Sequence, residues 1–133
     1  MAIAPHIVIG LHFGHILGEP RALEMIRQAE PQALVLVILT PTIGTAMAKV
    51  KPPPVDQVTR IIATARIQNS HTPLTMGCAR PPGPYKRRVE MMAVDCGINA
   101  IAYPDESTIG HAHKRGLEPV FTEMCCSLAS VVM

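Results

Sequence analysis

The chain has no tryptophan and only two tyrosines and two phenylalanines, so aromatic residues make up 3% of it. Base stacking has little to work with. Charge of one sign is also scarce: 12 Lys and Arg against 10 Asp and Glu leave a net charge of +2, too small a basic field for a nucleic-acid partner. Long hydrophobic runs are missing as well. The longest, Ala33 to Leu39, is far short of the roughly 20 residues that a membrane helix needs, which argues against a membrane partner. The four cysteines, Cys78, Cys96, Cys125 and Cys126, do not have the spacing of a disulfide framework. The first residues show neither a basic stretch nor a signal-cleavage pattern. A cytoplasmic protein is expected, with its cysteines as thiols or metal ligands.

What is present is a rhythm. The 133 residues, 48% of them hydrophobic, suit one domain with a core. His6 to Leu11 is an apolar run rich in β-branched residues and reads as a buried strand, followed by a helix from Pro20 to Ala29 with Ala22, Leu23, Ile26 and Ala29 facing inward. Glu19 and Pro20 suit its first turn, where a carboxylate meets the positive end of the dipole and a missing N–H does no harm. A second strand over Ala33 to Leu39 empties into a long loop, Thr40 to Pro54. Helical spacing of Val55, Val58, Ile62 and Ala65 then continues to about Gln68. The third unit is a strand near Pro73 to Gly77 and a helix from Lys86 to Cys96, with Val89, Met92, Ala93 and Cys96 on one face and a left-handed cap at Gly97. The fourth is a strand over Asn99 to Tyr103 and a helix from Pro104 to Arg115. Residues 117–133 form an extension with a short strand expected at Pro119 to Thr122.

Strands alternating with helices in this way predict a parallel sheet with right-handed crossovers. Four βα units are half of a (β/α)8 TIM-type barrel. A half-barrel leaves two strand edges open, so the chain is expected to associate with itself, with a partner, or with a missing N-terminal half. The last of these is the favoured expectation, with residues 1–133 as the C-terminal half of one barrel domain. In such sheets the loops leaving the carboxyl ends of the strands carry the chemistry. Here those loops hold Gly10 to Glu19, Thr40 to Pro54, and Gly77-Cys78-Ala79-Arg80-Pro81-Pro82-Gly83.

Several residues carry candidate chemistry. Arg80 presents a guanidinium suited to a carboxylate or a cluster sulfide; its alternative is to satisfy loop carbonyls. Cys78 beside it is a ligand, a substrate-site thiol or a packed side chain. Cys125-Cys126-Ser127 offers thiolates to iron, against the alternative of small buried hydrophobes. Cys96 reads as packing, and Met91 and Met92 as core filling. His12 and His15 lack a third ligand at recognisable spacing, so backbone hydrogen bonding is expected of them. His111 and His113 lie two apart on a helix, make a poor chelate and are expected to be exposed.

Five segments in order resemble the C-terminal half of biotin synthase and its radical S-adenosylmethionine (SAM) relatives. They are Ile9-Gly10-Leu11 with Gly18-Glu19, Thr40 with Gly44-Thr45, the helix text Arg60 to Ile67, Gly77-Cys78-Ala79-Arg80, and Gly97 to Ile101 with Tyr103. The resemblance implies an iron–sulfur enzyme that cleaves SAM reductively and, in its sulfur-inserting members, delivers sulfur to an unactivated carbon. It implies SAM contacts at Ile9, Gly10 and Glu19, catalytic or substrate contacts at Arg80 and Cys78, and iron ligation by Cys125 or Cys126. A small molecule or a lipoyl-type acyl group would be the substrate. The family's Cys-x3-Cys-x2-Cys motif lies in the first half of its barrel and is absent here, so the parent would be the enzyme and this chain a part of it. Ala4 stands where biotin synthase has a cluster-ligating cysteine. The Gly-Cys-Ala-Arg-Pro run and the Cys-Cys-Ser are similar to those of two-component lipoyl synthases. The alternatives are another barrel lyase or aldolase holding an anion, or a half-barrel that binds without catalysis.

Overall fold

The structure, a computed structural model, describes residues 3–131, with side chains to Leu128. Its order is β1 (His6–Ile9), α1 (Glu19–Ala29), β2 (Leu34–Ile38), α2 (Val55–Gln68), β3 (Leu74–Met76), α3 (Pro84–Asp95), β4 (Ala100–Ile101) and α4 (Glu106–Lys114), then a short 3-10 helix, Cys126–Val131. The four strands form one parallel sheet in the order β1-β2-β3-β4. The chain is therefore α/β, each strand returning to the sheet through a helix.

The register shows how the core is laid down. Ile7 pairs with Leu36, Ile9 with Ile38, and Leu36 with Met76. These side chains, with Leu34 and Leu74, share one sheet face and bury there against Leu23 of α1, Val58, Ile61, Ile62 and Ala65 of α2, and Val89 and Ala93 of α3. Each helix packs against the next: α1 on α2, α2 on α3, α3 on α4. The other face carries Val8, Val35, Val37, Thr75 and Ala100 by the two-residue period of strands. There the C-terminal 3-10 helix lies against β2, β3 and β4, so Val35 and Thr75 are as buried as the helix-side residues.

α2 has the expected bounds, Val55–Gln68. α3 ends in the expected way: Gly97 has φ +85°, its N–H donates to the Val94 carbonyl at 3.0 Å, and the Ile98 N–H donates to the Ala93 carbonyl at 3.1 Å, a Schellman closure. Four details differ from expectation. No strand forms at Pro119 to Thr122; the segment is irregular, with Val120 and Phe121 exposed and no strand beside it to pair with. Ala29 is exposed rather than facing inward. Met92 is exposed, and Glu90 takes the inward place between Val89 and Ala93. His111 is half-buried, because its ring nitrogen reaches Asp95 Oδ1 at 2.8 Å. Among the described residues no helix is long and apolar enough to cross a membrane.

Candidate functional site at the carboxyl end of the sheet

The first βα loop is held by one carboxylate. Glu19, buried at the start of α1, accepts the Gly10 N–H on Oε1 and the Leu17 N–H on Oε2, both at 2.8 Å. Gly10 leaves β1 with φ +81°, and a Cβ there would come within 2.7 Å of the Pro53 ring. Both the backbone conformation and the close approach require glycine. Gly14 meets the same limit, since a Cβ would lie 2.1 Å from the Lys51 carbonyl oxygen. The second loop is thus seated on the first through Lys51 and Pro53. α3 anchors it from the other side: the Tyr85 hydroxyl donates to the Pro53 carbonyl at 2.6 Å, and burial pushes the Tyr85 phenol up to about 12. Ile9 points into the helix-side core and is fully buried; only its carbonyl reaches the rim, accepting the Leu39 N–H at 2.9 Å.

The third loop is built on a buried ion pair. Arg80 turns inward, its side chain 1% exposed. Nε donates to Glu90 Oε1 at 2.8 Å, Nη1 to the Gly77 carbonyl at 2.6 Å, and Nη2 to the carbonyls of Ala102 and Tyr103. One guanidinium therefore ties the end of β3 to the end of β4 and to α3. The other half of Glu90 is equally occupied: Oε2 accepts the Asp105 N–H at 2.9 Å and the Thr108 hydroxyl, while Lys86 Nζ lies 2.6 Å from Oε1. Burial alone would raise the Glu90 carboxyl. The bonds from Lys86, Thr108, the Asp105 amide and Arg80 outweigh it and hold the carboxyl below its ordinary value.

Cys78, next to Gly77 in this loop, is exposed. The C-terminal 3-10 helix returns to the same place. Cys126 Sγ lies 3.7 Å from where a Cβ on Gly77 would stand, and a charged Cys78 would be felt at Cys126. Burial, foremost, and the neighbouring thiols push Cys126 up, whereas Cys125, exposed, is held down chiefly by its bond with the Ser127 hydroxyl at 3.3 Å. Three of the four cysteines, Cys78 and the adjacent Cys125 and Cys126, thus lie near one end of β3. Cys96 instead caps α3, packs on the core and points its thiol at the Thr59 carbonyl. His12 and His15 face each other across a tight turn, the His15 N–H donating to the His12 carbonyl at 2.9 Å, both rings exposed.

An iron–sulfur cluster asks for three or four thiolates around one cavity. Among the described residues no group of three or more His, Cys, Asp and Glu is close enough to hold a metal ion. The thiols at the end of β3 are neighbours without being a closed ligand set, and no chemistry is assigned to a cluster on them. Large apolar side chains rim the same end: Leu11, Phe13 and Leu17 from the first loop, Ile43 from the second and Tyr103 from the fourth are all more than half exposed. Two clefts among the described residues, about 210 and 230 Å3, lie at the opposite end, lined by Gln68, Asn69, Ser70, His71 and Thr72 and by Arg66 with Asn99. Their polar groups include the His71 ring and the Ser70 and Thr72 hydroxyls.

Sequence reasoning singled out Arg80, Gly10 and Glu19, which lie on these loops, and did not single out Glu90, Thr108 and Asp105, which hold Arg80 and the fourth loop. The available signal was Glu90 in the apolar stripe of α3, one residue after Val89 and three before Ala93. No protein-family model, no curated protein and no solved structure matches this chain.

Proposed function

We propose that this chain is the second half of a barrel enzyme of the radical SAM, biotin synthase-like type, contributing the substrate-facing loops to a site completed by a first half that carries the cluster. One observation carries the reading: the strand order runs β1-β2-β3-β4 without reversal. Doubly wound sheets reverse their strand order at a switch point, whereas barrels run on in sequence until they close. The resemblance of the five segments adds the chemistry, and three of them, with Tyr103 of the last, fall on the carboxyl-end loops. The exposed rim of Leu11, Phe13, Leu17, Ile43 and Tyr103 fits a surface that packs against further protein or an apolar acyl substrate.

In this reading the roles divide by geometry. Gly10 lets the second loop pack closely onto the first, and Glu19 fixes that rim. Arg80 is a positioning residue: it sets the ends of β3 and β4 and with them the exposed Cys78. The anion-holding alternative is less well supported, because Arg80 has given its guanidinium to Glu90 and three carbonyls. The cluster of the first half would supply the electron that cleaves SAM; this chain would orient SAM and substrate and keep water out.

The test is anaerobic purification of the protein from its own cells, with iron and sulfide analysis and an assay for 5′-deoxyadenosine formed from SAM and dithionite. The expected result is a brown protein that makes 5′-deoxyadenosine, with this chain joined to or eluting with a polypeptide bearing Cys-x3-Cys-x2-Cys. A colourless protein that neither turns over nor binds SAM would overturn the proposal.

A further inference from the structure

The three thiols at the end of β3 lack the arrangement of a metal site, and their placement has a different consequence. The 3-10 helix Cys126–Val131 crosses β2, β3 and β4 on the face away from the helices, with no regular element between it and α4. Beneath it Thr75 is 1% exposed, and its hydroxyl has no partner among the described residues. Polar satisfaction therefore does little to hold this strap in place. Its thiol contact is the specific feature: with Cys126 Sγ 3.7 Å from the Cβ position of Gly77, standard chain geometry puts that sulfur within about 9 Å of the Cys78 Cα. A disulfide needs Cα atoms about 4.4–6.8 Å apart. The 3-10 helix, which no regular element ties to α4, has to move toward the Cys78 loop to bring the two Cα atoms into that range.

We propose that Cys78 and Cys126 form a redox-active pair that takes oxidising equivalents from a low-molecular-weight disulfide and, once joined, latches the C-terminal strap over the carboxyl end of the sheet. The exposed Cys78 thiolate attacks one sulfur of the donor disulfide, giving a mixed disulfide and releasing one donor thiol. Cys126 then loses its proton to water, attacks the Cys78 sulfur and expels the second donor thiol. Two protein thiols are oxidised and one donor disulfide is reduced to two thiols. Cys125 is not the partner, because its sulfur turns to Ser127 and solvent rather than to Gly77. Nor do Cys125 and Cys126 suit each other, since adjacent Cα atoms stand about 3.8 Å apart, below the usual disulfide range.

The experiment equilibrates the full chain with graded ratios of reduced to oxidised glutathione, traps free thiols by alkylation and maps tryptic peptides without reduction. The expected product joins the peptide spanning residues 67–86 to that spanning 116–133, with loss of two hydrogens. Cys126→Ser should lower that product at least tenfold and leave glutathione on Cys78, while Cys125→Ser and Cys96→Ser leave it unchanged. A crosslink that survives Cys126→Ser and disappears with Cys125→Ser would overturn the pairing. Glutathione adducts alone in the unaltered chain would overturn the latch.

Discussion

Two arginines brace the two ends of the sheet in opposite ways. Arg80, at the carboxyl end, is buried with Glu90 as counter-ion and three carbonyls around it. Arg66, at the amino end, has no carboxylate partner among the described residues: it donates to the carbonyls of Asn69 and Thr72 at 2.6 Å, of Gly97 at 3.2 Å and to Asn99 Oδ1 at 2.7 Å, in partial contact with water. Both close loops that would otherwise leave carbonyls unsatisfied. The difference lies in solvation. Water reaches Arg66 and shares the cost of its charge, whereas Arg80 is too deep for that and needs Glu90. The end with the internal ion pair is the more tightly specified of the two, as an end that must hold loops in register requires.

The sharpest way to break the comparison is Glu90→Ala, which leaves Arg80 charged and buried without its partner. The expected loss is about 3–5 kcal/mol in urea unfolding, the range for one partner removed from a buried pair. Replacing Arg80 and Glu90 together by Met and Leu should recover most of it, because neither charge is then stranded. Acid should do gradually what the substitution does at once. The Glu90 carboxyl is lowered in the folded chain, so its stabilisation is complete above the ordinary carboxylate range and disappears as pH falls through the folded value. Stability should therefore decline below about pH 4, and Glu90→Gln, already weaker, should show a flatter acid limb. A Glu90→Gln profile parallel to that of the unaltered chain would show that other carboxylates govern the acid limb.

Arg66→Ala should cost less, about 1–2 kcal/mol, because its freed carbonyls can turn to water. Arg66→Lys should recover only part of this, since an ammonium cannot span the four acceptors that the planar fork reaches. Equal losses for Arg66→Ala and Glu90→Ala would refute the assignment of burial as the deciding difference.

Much of this was legible from the chain, for reasons that also mark where legibility stops. The run Ala33 to Leu39 identified a central parallel strand because both of its faces are covered, and the helix Val55–Gln68 showed itself through period alone. Glu19 and Gly10 were identifiable as rim residues from local chemistry: a carboxylate opens the helix and a glycine ends the strand. Glu90 was not, because a charge in an apolar stripe reads as a surface residue until its partner is known, and Arg80 lies ten positions earlier on another element. Met92 was misjudged for the same reason, since Glu90 and Met92 lie on nearly opposite sides of the helix and only one of them can face inward. The strap was beyond reach too: one short 3-10 helix leaves no readable period, and nothing local tells Cys126 that Gly77 leaves room for a sulfur.

The smallest effect is expected at the surface pair between α3 and α4. Asp95 Oδ1 accepts from the His111 ring at 2.8 Å and from Arg115 Nε at 2.8 Å, and those two partners outweigh partial burial to hold its carboxyl below the usual range. Asp95 and Arg115 carry the same kinds of charge as Glu90 and Arg80, yet Arg115 is more than half exposed. Solvent screening should reduce their worth to about 0.5 kcal/mol for Asp95→Asn. That loss should shrink further in 1 M salt, where charge screening acts within about 3 Å, while the loss for Glu90→Ala should barely change. A salt response of the same size at both sites would mean that water reaches Glu90, and the contrast between the buried and the shared arginine would then rest on geometry alone.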